Sequence, residues 1–136
     1  MPISSHRLAF LRPMCAAVAL VLASGGVLAL RPPQERERPR ILVTNDDGIA
    51  SEGLHVLVRE LATLGDVWVS APLENQSGSS ASLECLAGRP LALEERPLEG
   101  AVRACALGGK PVDAAWFGLH GLAGERPFDL VVSGIN

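Results

Sequence analysis

Residues 41–72, ILVTNDDGIASEGLHVLVRELATLGDVWVSAP, decide the fold. Ile41, Leu42 and Val43 form a short apolar run that stops at Thr44-Asn45-Asp46-Asp47-Gly48, the pattern of a buried strand ending in a turn. Leu54, Leu57, Val58, Leu61 and Leu64 then recur at intervals of three and four, which predicts an amphipathic helix. Ser51 is placed to cap it, Glu52 suits the positive end of its dipole, and Gly65 ends the run. Val67 to Ala71 is a second strand closed by Pro72. A strand, a helix of ten-odd residues and another short strand make one β-α-β unit, which requires parallel pairing and a crossover. The expected fold class is therefore α/β: a Rossmann-like open sheet, mainly parallel, with flanking helices.

Downstream the signals are weaker. Leu73 to Ser82 is a polar loop, Leu83 to Leu93 a weak strand region broken by Gly88-Arg89-Pro90, and Ala101 to Leu107 a further strand. Pro111 at a first helical position, Asp113 in the first turn, and the spacing of Val112, Ala115, Trp116, Leu119 and Leu122 predict a second helix. Asp129 to Val132 is the last strand. Upstream, Arg31 to Arg40 mixes prolines with alternating charge and reads as a solvated linker, so the domain is expected to occupy 41–136. Residues 1–30 carry Arg7 and Arg12 but no acid, then the apolar run Met14 to Leu30 with small residues Ala23 to Gly26. Three readings stay open: a secretory leader with an exported or periplasmic domain, an uncleaved membrane anchor, or a mis-assigned start near Arg40 with a cytoplasmic protein.

Charge narrows the partners. The whole chain has 12 basic and 15 acidic residues, and setting aside Arg7 and Arg12 makes the remainder more acidic still. Duplex nucleic acid is bound through many Lys and Arg contacts to phosphate, so that partner is excluded. A phosphate ligand would have to be small or metal-bridged. Cys85 and Cys105 are open to pairing in an exported domain, or to standing as two buried free thiols.

In an open parallel sheet, ligands sit where the loops converge at the carboxyl ends of the strands. Three such ends carry polar, glycine-containing segments: Asn45 to Gly48, Asn75 to Gly78, and Ser133 to Asn136. The three asparagines of the chain all lie in them. Adjacent carboxylates at one strand end repel unless a cation or donors offset the charge. Carboxylate, hydroxyl and amide oxygens are hard ligands that suit Mg²⁺ or Mn²⁺, and the segments hold no Cys or His to favour Zn²⁺. An Asx turn with Gly48 at positive φ accounts equally well for the Asp-Asp-Gly triplet taken alone.

The ordered set ILVTNDDGIASEGL, VSAPLENQSGSSASL and DLVVSGIN resembles the motifs of the SurE family of 5′/3′-nucleotidases, from about Arg40 to the end. The resemblance implies a Rossmann-like hydrolase that removes phosphate from nucleoside monophosphates with a divalent metal. By matching positions it implies Asp46, Asp47, Ser77 and Asn136 as metal ligands, and a homo-oligomer for a complete family member. Asp46 is the candidate for orienting or deprotonating the attacking water. Three departures stand out: Gly109-Lys110-Pro111 replaces a usual Gly-Thr-Pro, Glu52 replaces a proline, and the half that follows SGIN in the family is missing. The chain is thus expected to be an amino-terminal part, active or reduced to a metal-binding remnant. A receiver-like signalling domain also pairs acids at a first strand, but needs a phosphoacceptor Asp where strand two ends in Ala71-Pro72. His55, His120, Trp68 and Trp116 are expected to be structural.

Overall fold

The computed structural model describes residues 37–135. The expected leader (1–30), residues 31–36 of the expected linker, and Asn136 lie outside the described residues. Among the described residues no helix is long and apolar enough to cross a membrane.

Strand β1 (Arg40–Thr44) is buried along its whole length and is followed by α1 (Glu52–Ala62) and β2 (Asp66–Pro72). β1 pairs in parallel with β2 from Arg40↔Asp66 to Val43↔Val69, the β-α-β unit expected from residues 41–72. Strand β3 (Leu93–Glu95) is short; β4 (Ala101–Leu107) and β5 (Leu130–Ser133) are longer, and α2 (Pro111–Phe117) lies between these two in sequence. The sheet runs β3-β4-β2-β1-β5, with only the β3/β4 pair antiparallel. The chain leaves β1 toward β2 and β4, then returns to place β5 on the other side of β1. That reversal beside β1 is where an open α/β sheet opens a crevice.

Alternation along the strands builds two core layers. Ile41, Val43, Val67 and Val69 pack with Leu54 and Val58 of α1. Leu42 and Ser70 face α2, where Ser70 Oγ donates to Ala114 O (2.6 Å), and a Cβ added at Gly118 would lie 2.8 Å from Leu42 Cδ1. α2 passes at Gly118 into a π-helical turn, Gly118–Leu122, which carries the exposed His120. β1 begins at Arg40, one residue inside the expected linker. That side chain is buried because its guanidinium lies 4.4 Å over Trp68 and 4.8 Å over Phe128 and donates to the carbonyls of Ala123 and Arg126.

Several expectations need revision. Leu83 to Leu93 is not a strand: it holds a 3-10 turn, Cys85–Ala87, with Leu86 83 % exposed, before β3 starts at Leu93. Ser51 does occupy the N-cap of α1 but makes no side-chain capping bond; its hydroxyl accepts instead from Asn45 Nδ2 (2.8 Å). Trp116 is 61 % exposed and stacks on His120 rather than in the core. Cys85 is exposed and Cys105 buried, and both are free thiols.

Gly65 follows α1 as expected, for a different reason. Asp66 N donates to Pro39 O (2.8 Å), which draws the entry of β1 so close that a Cβ on Gly65 would sit 2.3 Å from that oxygen. Gly65→Ala is expected to lose about 1–3 kcal/mol, read as a lower urea midpoint, because backbone and not a pliable side chain must yield.

Candidate functional site

Three loops meet at the carboxyl ends of β1, β2 and β5. The first is a tight turn fixed by Asn45, which is 2 % exposed. Its Oδ1 accepts from Gly48 N (3.2 Å), and its Nδ2 donates to Gly48 O (3.2 Å) as well as to Ser51. Gly48 has φ +96°, and an added Cβ would meet the Glu74 backbone at 3.0 Å, so turn and second loop touch where no other residue fits. The turn leaves Asp46 and Asp47 half-buried, side by side at the end of a fully buried strand.

The second loop docks on this pair. Gln76 N donates to Asp46 O (2.7 Å), Ser77 Oγ to Asp47 Oδ1 (3.1 Å), and Asn75 Nδ2 to the same oxygen (3.3 Å). Ser77 N donates to Asn75 Oδ1 (2.9 Å), which orients the Asn75 amide so that its NH₂ faces the carboxylate. Lys110, the single lysine of the chain, stands just before α2 and donates from Nζ to Gln76 Oε1 (2.9 Å). The third loop follows β5, whose Ser133 is in register with Thr44 and whose Gly134 N donates to Thr44 O (3.0 Å). The structure thus brings Asp46, Asp47 and Ser77 together and runs the SGIN segment alongside, while Asn136 itself lies outside the described residues.

The donor set tests whether a metal fits. Among the described residues no group of three or more His, Cys, Asp or Glu clusters, so a soft-ligand or all-carboxylate site is not built. Two carboxylates joined by a serine hydroxyl on one of them form a hard-oxygen corner, suited to Mg²⁺ or Mn²⁺. Sequence reasoning had no signal for the Lys110 strap or for the burial of Asn45, since both depend on how separate loops pack.

A second polar centre supports the site from behind. Asp113, in the first turn of α2, is 2 % exposed and accepts from Lys110 N (2.9 Å), Glu84 N (2.9 Å) and Cys85 N (2.9 Å). Burial pushes its carboxyl up, but the backbone donors outweigh that and hold it below its ordinary value. The hydrogen bond from Cys85 to this carboxylate raises the Cys85 thiol, and burial raises that of Cys105, so neither is an activated nucleophile. His55 lies beside the first turn with Nε2 3.0 Å from Ile49 O, a structural contact.

An α/β sheet with paired acids and a serine-bearing loop at its reversal point departs from a receiver domain, since β2 presents Ala71 and Pro72 where a phosphoacceptor would stand. The profile of the family described as "Survival protein SurE" matches residues 41–136, and the chain belongs to that family. It is 50 % identical over 97 residues to the 5′-nucleotidase SurE of Methanopyrus kandleri and 39 % identical over 102 residues to that of Chlorobium limicola. These alignments cover 71 % and 75 % of this chain but 36 % and 38 % of the relatives, so the chain spans little more than a third of their length. The crystal structure of the SurE protein from Aquifex aeolicus superimposes with a TM-score of 0.59 at 37 % identity, covering 72 % of this chain and 38 % of that one.

Proposed function

We propose that the chain carries the metal-binding corner of a phosphate-monoester hydrolase that acts on nucleoside monophosphates with Mg²⁺ or Mn²⁺. The observation that carries this is the junction of Asp46, Asp47 and Ser77, formed by two strand-end loops and closed by the 3.1 Å Ser77 to Asp47 hydrogen bond. The relatives named 5′-nucleotidase SurE support the substrate class.

Asp46, Asp47 and Ser77 would hold the ion, with Asn136 as the fourth ligand. When bound, the cation supplies neutralisation of phosphate charge and lowers the pKa of a nearby water. Asp46 makes no side-chain hydrogen bond among the described residues, which leaves its carboxylate free to orient that water and accept its proton. The water oxygen bonds to phosphorus as the ester P–O bond breaks, the water's proton passing to Asp46 and a solvent proton going to the departing nucleoside oxygen. Asn75 and Ser77 hold Asp47 in place, and Asn45 keeps both acids at the strand end.

The test is phosphate release from nucleoside monophosphates by the purified chain, with Mn²⁺, with chelator, and with Mn²⁺ restored. Release that stops with chelator and returns with the metal is expected. Metal binding without any release from these substrates overturns the enzymatic reading and leaves a metal-binding domain.

A further inference from the structure

Helix α2 spends one face on the sheet and keeps another open. Ala114 is fully buried and its carbonyl accepts from Ser70 Oγ, and Gly118 at the end of the helix leaves no room for a Cβ beside Leu42. Pro111, Val112 and Ala115 share a different side, because residues three and four apart are neighbours on a helix. All three are only half-buried, and all three line a cleft of about 430 Å³ whose lining also includes Asp46. That volume lies within the range of roughly 300–1,000 Å³ typical of small-molecule sites.

The lining selects the occupant. Asp46 belongs both to the cleft and to the metal corner, so a phosphate ester held at the corner can extend its alcohol part into the cleft. Among the described residues of the lining Asp46 alone is charged. A second phosphate in the cleft would therefore lose its water without a counter-charge and beside a carboxylate. Hydrogen-bonding groups are scarce as well: Asn45 spends its amide on Gly48 and Ser51, and Thr44 Oγ1 is closed to solvent. What α2 offers is aliphatic surface, and a flat heterocycle laid on it gains by removing apolar area from water on both sides.

We propose that the nucleobase of the substrate lies with one ring face on Pro111, Val112 and Ala115, and that Val112 is a specificity-determining residue, while the ester phosphate stays at Asp46, Asp47 and Ser77. The assignment rests on the phosphatase reading above and deepens it. Val112 touches no reacting atom; its side chain favours nucleotides over sugar phosphates that carry no base.

The experiment measures, by calorimetry in Mn²⁺, the binding of inorganic phosphate and of the non-hydrolysable methylene phosphonates of AMP and of ribose 5-phosphate. The proteins are the wild-type chain, Val112→Thr, Val112→Ile, Ala115→Ser and Asp47→Asn, with a thermal midpoint for each. Wild type is expected to bind the AMP phosphonate about tenfold more tightly than the ribose phosphonate, from the ring face buried on α2. Val112→Thr keeps the shape of the side chain and exchanges a methyl for a hydroxyl, so it should cut that preference about three- to fivefold, the worth of one methyl group, with the loss falling on the AMP phosphonate. Ala115→Ser, one turn along the same face, should act in the same direction, and Val112→Ile, which keeps the wall aliphatic, should retain the preference. If wild type shows no preference, or if Val112→Thr and Ala115→Ser weaken both phosphonates alike or change neither, the assignment is overturned while the phosphatase reading stands. If none of the three ligands binds the wild-type chain, or Asp47→Asn binds them as well as wild type does, the phosphatase reading fails and the Val112 assignment falls with it.

Discussion

Asp47→Asn is expected to weaken Mn²⁺ binding by about 100-fold or more, since even indirect partners of a metal ligand typically contribute 10- to 100-fold. The substitution removes a charge but little else. Asp47 Oδ1 accepts from Ser77 Oγ and Asn75 Nδ2, and the amide oxygen of Asn can accept the same two bonds. The second loop therefore stays docked. Without metal, the variant loses the repulsion between two neighbouring carboxylates, so its thermal midpoint should equal or slightly exceed that of wild type. With metal the order reverses: Mn²⁺ should raise the wild-type midpoint by mass action and leave the variant's almost unmoved. Calorimetric titration and thermal melts with and without Mn²⁺ read both effects. Equal Mn²⁺ affinity in the two proteins would show that the acid pair is only a turn, and would remove the basis of the proposed site.

How much of this was legible in the sequence varies with how local the cause is. The β1-α1-β2 unit was legible because the apolar run Ile41 to Val43, the three-and-four spacing from Leu54, and the run from Val67 each state their own burial. Parallel pairing then followed from lengths alone. Leu83 to Leu93 misled because counting leucines says nothing about whether a surface exists to cover them; Leu86 and Leu93 are left in solvent. Gly65 was placed correctly as the end of α1, but its cause is the Pro39 carbonyl, which lies far from it in local pattern and close only after β1 and β2 pair. At the candidate site, composition alone left Asp46 and Asp47 as readily an Asx turn as a ligand pair, and only the resemblance of the ordered motifs singled out Asp46, Asp47 and Ser77. The burial of Asn45 left no trace, because its amide bonds to Gly48 and Ser51 exist only once the turn is folded.

Asp113→Ala is expected to destabilise the domain by about 2–4 kcal/mol, more than any surface carboxylate should, because it strips three part-buried backbone donors of a charged, buried acceptor at once. The donors come from two places: Lys110 N at the start of α2, and Glu84 N and Cys85 N at the 3-10 turn. Losing the carboxylate should therefore free the 84–87 segment and loosen the start of α2 together, which hydrogen exchange at those amides would show. Lys110 then holds Gln76 less firmly, so Mn²⁺ affinity should also fall by a few fold although Asp113 touches no ligand. The acid side gives a second reading. Backbone donors hold the folded carboxyl below the ordinary value of 3.8 that it recovers on unfolding. Between those two values the unfolded chain binds the extra proton, so stability rises with pH across that window. The contribution is complete above pH 3.8 and is lost as pH falls through the lower folded value. Urea midpoints of wild type and Asp113→Asn should accordingly stand well apart at pH 7 and converge in strong acid. A gap between the two proteins that stays constant down to the lowest pH at which both fold would mean that the charge of Asp113 is not what secures the turn to α2.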